Sequence, residues 1–149
     1  MKVSEKVATL VEPIVEQNGA YLIDAGATAQ GNRKFVRIVV QNLAGITMDE
    51  IAQITRSVNV SNALDELFPE GYHLEVSSPG IDYKLREYRD FPRNIGRTLR
   101  MYHRLSALPS PFSGILREVT EEVLVLEVNG NLHNLPFSDL DYAKVEIKW

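Results

Sequence analysis

The chain has no cysteine, which excludes a disulfide scaffold, thiolate metal sites and cysteine nucleophiles. No apolar run approaches the ~20 residues that cross a bilayer as a helix. Glu5, Glu12 and Glu16 interrupt the apolar core that a secretory leader needs, so a cytoplasmic location is expected. The glycines, at 19, 26, 31, 45, 71, 80, 96, 114 and 130, never take GxGxxG, GxxxxGK or GxSxG spacing. His73, His103 and His133 stand thirty residues apart without paired-ligand spacing, and read as surface or half-buried strand residues. Asp139 and Asp141 read as carboxylates capping a turn rather than as a cation pair. With no nucleophile–base arrangement and no metal or cofactor motif, the chain is expected not to be an enzyme and to take no small-molecule substrate.

What is present is an ordinary globular composition. Of 149 residues, 44% are hydrophobic and 24% charged, which is far from a disordered composition, and the length suits one medium domain or two small ones. The net charge of −4 conceals a pattern. Residues 1–82 hold 6 basic and 11 acidic side chains, residues 83–104 hold 7 and 2, and residues 105–149 hold 3 and 7. A basic island between two acidic blocks is a stronger clue to partners than the total.

Periodicity supplies the elements. Val3, Val7, Leu10, Val11 and Ile14 recur at helical spacing, with Pro13 expected to kink the helix and Asn18-Gly19 to end it. Strands are expected at 20–28 and 35–41, joined by the turn residues 30–33. Thr47 and Glu50 form a capping box for a second helix through Ile51, Ile54, Val58 and Leu64, stopping near Phe68-Pro69. A strand at 72–77 comes next, and Pro79-Gly80 suits a type II turn. This order makes a compact α+β domain over 1–82, with both helices on one face of a small sheet.

Residues 83–149 read as a basic connector and then a small β-barrel of the SH3 or Sm type. The connector is expected to hold one short helical turn capped by Asp90. Strands are expected at 98–103, 113–119, 123–128, 132–135 and 143–148, with Asn129-Gly130 as a hairpin turn. The proline-bearing loop at 104–112 is expected to protrude.

The positive signal is the island: Lys84, Arg86, Arg89, Arg93, Arg97, Arg100 and Arg104. Guanidinium forks match phosphate oxygens, and neutralising phosphates makes binding strongly salt-dependent. The competing reading is that these arginines pair with the acidic blocks. Arg100 and Tyr102 are expected to point away from the core, because Leu99, Met101 and His103 alternate with them. Neither the aromatic pattern of an RRM nor the GxxG clamp of a KH domain is present, so phosphates and shape are the expected targets rather than bases.

The stretch Leu74-Glu75-Val76-Ser77-Ser78-Pro79-Gly80-Ile81-Asp82, together with Asp90-Phe91 and Ile95-Gly96-Arg97, resembles the signature of the bacterial ribosome maturation factor RimP family. Gly45 to Glu50, Leu64-Asp65, Leu135-Pro136-Phe137 and Leu140 to Ala143 are similar to further parts of that family. Glu75, Ser77, Ser78, Pro79, Gly80 and Asp82 carry the likeness most specifically. The resemblance implies an N-terminal domain of KH-like outline, a C-terminal SH3/Sm-like barrel, and no catalysis or cofactor. It implies that the partner is the immature 30S subunit, through ribosomal RNA and a ribosomal protein near the decoding centre. The protein is expected to be a monomer without a membrane partner. Asp65, Glu66 and Glu70 are then candidates to meet a basic ribosomal protein while the arginines meet phosphate. One departure stands out: Tyr83-Lys84 occupies the place of the family's usual Arg-Pro, leaving Lys84 and Arg86 to supply the charge. The alternative is an Sm-like module for small single-stranded RNAs; a small hydrolase is disfavoured by the missing motifs.

Overall fold

Helix α1 (Val3–Gln17) buries Val7, Val11 and Val15, one residue per turn on a single stripe. Val3 and Leu10 lie off that stripe and stay exposed, so the buried face is narrower than the sequence pattern suggests. Pro13 sits inside the helix without ending it. Both Pro13 and Thr9, whose carbonyl loses its partner, are on the exposed side, where water replaces the missing bond. The helix stops at Gly19, whose φ of +77° is the left-handed conformation that glycine adopts without penalty.

The computed structural model describes residues 2–80 and 82–146. The chain divides into two compact units, Met1–Pro79 and Gly80–Trp149. In the first, strand β1 (Tyr21–Gln30) pairs antiparallel with β2 (Arg33–Gln41), and β2 pairs parallel with β3 (His73–Ser77). A parallel pair needs a crossover, and helix α2 (Met48–Ser61) provides it. Val36, Ile38 and Val40 of β2 point into the core shared with α1 and with Ile54 and Val58 of α2. The alternate residues Phe35, Arg37 and Val39 face the other way, where Phe35 stacks on His73 at 5.1 Å.

The capping box of α2 is formed as the sequence predicts. Glu50 N–H donates to Thr47 Oγ1 at 3.1 Å, and Thr47 N–H donates to Glu50 Oε1 at 3.0 Å. The far end differs, because α2 stops at Ser61 and Asn62 turns left-handed at φ 58°. Asparagine tolerates that conformation, which ends the helix well before Phe68. Leu64 keeps helical spacing only because the turns after α2 bring it to the same core.

The second unit is a five-stranded antiparallel sheet in the order β7-β6-β5-β4-β8. Its strands are β4 (Thr98–His103), β5 (Phe112–Val119), β6 (Val123–Val128), β7 (Asn131–Pro136) and β8 (Leu140–Val145). β8 begins three residues earlier than expected, and its predicted end at Lys148 lies outside the described residues. Asn129 (φ 53°) and Gly130 (φ 82°) are both left-handed, as the two-residue hairpin requires. Register shifts at Leu116/Glu118 and Tyr102/His103 bend the sheet around a core of Leu99, Met101, Leu116, Leu124, Leu126 and Leu135. β7 and β8 are the two ends of the sheet, and no pairing among the described residues joins them. The loop after β4 is tied back rather than free. Leu105 N–H donates to His103 Nδ1 at 3.0 Å, and His103 Nε2 lies 2.7 Å from the Pro109 carbonyl.

Hydrogen bonds from Thr47, backbone first and then hydroxyl, hold the Glu50 carboxyl below the ordinary value of 4.5. A depressed folded value means that this stability is present above 4.5 and is lost as pH falls through the lowered value. Urea melts of Glu50→Gln against the parent should therefore differ most near neutrality and converge in acid. Thr47→Ala should cost about 1 kcal/mol at neutral pH.

Candidate nucleic-acid interface

Residues 83–97 carry most of the basic island, and they are packed into the second unit rather than left as a connector. Leu85 is the anchor. Leu85 N–H donates to the Ala143 carbonyl and Ala143 N–H to the Leu85 carbonyl, both at 2.8 Å. This bridge covers the free edge of β8. The Leu85 side chain is buried among the core residues. Extended backbone alternates its side chains, so Lys84 and Arg86 face away from that core. Lys84 and Arg86 are both exposed.

Asp90 fixes the segment on either side of it. It is 2% exposed, and its Oδ2 accepts the N–H groups of Arg86 and Glu87, each at 3.0 Å. Its Oδ1 lies 4.0 Å from Arg93 Nη2 in a nearly buried ion pair. The Asn94 amide donates to the Asp90 carbonyl at 2.7 Å. Asp90 thus caps the backbone before it, not a helix after it. Two 3₁₀ turns, Tyr88–Asp90 and Pro92–Asn94, replace the single expected one because Phe91 between them plunges into the core against Phe137.

On the outer face of β4 and β8, Tyr102 and Tyr142 stand directly opposite one another. Their rings stack with centroids 4.5 Å apart and planes 19° from parallel. Lys84 Nζ lies 4.7 Å from the centre of the Tyr142 ring, and the Arg86 guanidinium 5.8 Å. The Arg100 guanidinium lies 6.0 Å from the Tyr102 ring. Next along the same face, Arg100 is opposite Lys144. Like charges directly opposite across two strands repel. Among the described residues, no ion pair engages Lys84, Arg86, Arg100 or Lys144.

The remaining cations have local contacts within the second unit. Arg89 meets Glu87 at 3.0 Å, Arg93 meets Asp90, and Arg97 donates to Asn94 Oδ1 at 3.4 Å. Arg104 donates to the Ser138 carbonyl at 2.6 Å and lies 3.7 Å from Asp141. The structure therefore gathers Lys84, Arg86 and Arg100 around the tyrosines and gives Arg93 and Arg104 internal work. Lys144 and Tyr142 were not candidates on the sequence. They enter because strand register places them beside residues some forty positions earlier.

In the first unit, Asp65, Glu66 and Glu70 lie on the turns after α2, with Asp65, Glu66 and Glu70 all exposed. Burial, and secondarily the charge of Asp65, pushes the Tyr72 phenol upward. Of the signature residues, Glu75 and Ser77 lie on β3, while Ser78, Pro79, Gly80 and Asp82 lie beyond it. Gly80 does not take the left-handed φ that a type II turn would demand. Its carbonyl instead accepts the Tyr83 N–H at 3.1 Å, starting the second unit with a turn of its own.

Residues 10–82 match the family model of the RimP N-terminal domain. The chain thus carries a RimP N-terminal domain. RimP proteins are ribosome maturation factors. The RimP match runs from within α1 to Asp82, so the tyrosine stack and its cations lie beyond the matched residues.

Buried and exposed charges should respond differently to truncation. Asp90→Ala strands two backbone donors and a buried guanidinium, and should cost about 2–4 kcal/mol in denaturant melts of the second unit. Arg100→Ala, on the exposed face, should change stability by no more than about 0.5 kcal/mol.

Proposed function

We propose that this protein binds the immature 30S subunit and assists its late assembly without catalysing a reaction. The observation that carries the reading is the cluster of Lys84, Arg86, Arg100 and Lys144 around one tyrosine stack, with no carboxylate paired to any of the four among the described residues. A phosphate between Arg100 and Lys144 relieves their repulsion and satisfies both. Ribosomal RNA supplies such phosphates at high density.

The acidic first unit suits a second contact. Asp65, Glu66 and Glu70 are exposed, and they complement a basic ribosomal protein near the decoding centre. The second unit takes the part of an SH3/Sm-like barrel, its bent sheet enclosing one core and presenting the outer face of β4 and β8. Arg89, Arg93, Arg97 and Arg104 are engaged by contacts within the second unit and contribute less to binding. The protein acts in the cytoplasm as a monomer, and among the described residues no helix is long and apolar enough to cross a membrane.

Replacing Arg86, Arg100 and Lys144 together by glutamate should weaken co-sedimentation with free small subunits by at least about tenfold and flatten its salt dependence. Undiminished binding by a folded triple variant would remove this face from the contact. Parallel replacement of Asp65, Glu66 and Glu70 by lysine should weaken binding with little change in the salt slope attributable to RNA.

A further inference from the structure

We infer that the Tyr102–Tyr142 stack is a platform for an unpaired RNA base, so that the ligand of this face is single-stranded rather than duplex RNA. The inference rests on the reading that this face meets RNA, and it names which kind. Each ring gives one face to its neighbour at 4.5 Å and keeps the other on the outside of the stack. Those outer faces are approached by the ends of long side chains, Lys84 and Arg86 over Tyr142 and Arg100 over Tyr102.

A cation over an exposed ring is held weakly, since water competes for it. A nucleobase offers the ring a larger flat surface, and its flanking phosphate offers the displaced cation a better partner. Both exchanges occur together at this site, because the same residues that cover the rings are the ones without ion pairs among the described residues. A paired base in an A-form helix cannot present its face to the stack, so a duplex gains only the phosphate contacts. If the tyrosines served only to join β4 to β8, nothing in that role would require three cations over their rings. Sequence patterns point to phosphates and shape alone because the two tyrosines are forty residues apart and share no motif.

The test is fluorescence anisotropy at low salt with a short oligouridine strand, its abasic counterpart of the same length, and a duplex of that length. The base-bearing strand should bind about tenfold more tightly than the abasic strand, and the duplex should behave like the abasic one. Tyr102→Leu with Tyr142→Leu should abolish the difference, and Tyr102→Phe with Tyr142→Phe should preserve it. Equal binding of base-bearing and abasic strands by the unmodified protein would overturn the platform while leaving the phosphate contacts standing. Failure of every strand to bind would overturn both. The comparison of strands on the unmodified protein decides the matter even where the leucine variant does not fold.

Discussion

The two hydrogen bonds between Leu85 and Ala143 determine how the rest of the candidate interface is arranged. They place a stretch of extended chain along the edge of β8, with Leu85 buried. Lys84 and Arg86, its immediate neighbours, then have no choice but the outer face, where Tyr142 lies. A residue-by-residue alternation set by one bridge thus converts a local run of charge into part of a site assembled from three distant segments. The bridge also shields a sheet edge that would otherwise present unpaired backbone groups.

Asp90 makes that arrangement durable. Its buried carboxylate accepts the N–H groups of Arg86 and Glu87, so the backbone carrying Arg86 is held from two sides. Arg93 accompanies it as a nearly buried partner. Both backbone hydrogen bonds fall on Oδ2, while Oδ1 faces Arg93 at 4.0 Å, so removing either partner would leave a buried charge uncompensated. Charge in this unit is therefore divided by depth. The buried cation and anion hold the segment in place, and the outer cations remain available to phosphate. The exposed pairs at Glu87–Arg89 and Asp141–Arg104 contribute little to stability.

Much of the fold is legible in the sequence where the signal is local. The Thr47–Glu50 capping box, the Asn129-Gly130 hairpin and the left-handed Gly19 each need only a few neighbouring residues, and each is formed. The outward placement of Arg100 and the inward placement of Leu99 and Met101 follow from simple alternation. Errors arise where tertiary contact overrides spacing. Leu64 extends the apparent period of α2, yet it reaches the core from a turn. Asp90 and Pro92 look like a helix start, yet burial of Phe91 splits the segment in two. The candidate site is half legible. Its cations on 84–100 show as a run, whereas Tyr142 and Lys144 join only through the β4–β8 register, which no local pattern encodes. The most specific part of the RimP likeness, Glu75 to Asp82, lies where the first unit ends and the second begins, and holds no part of the tyrosine stack.

Hydroxyl-radical footprinting of side chains, with the protein free and bound to immature small subunits, most directly tests whether this face meets RNA. Oxidation of Tyr102 and Tyr142 should fall sharply on binding, while Tyr21, in the first unit's sheet, should be oxidised at an unchanged rate. Unchanged oxidation of both stacked tyrosines in a complex that demonstrably forms would contradict the assignment and move the RNA contact elsewhere on the protein.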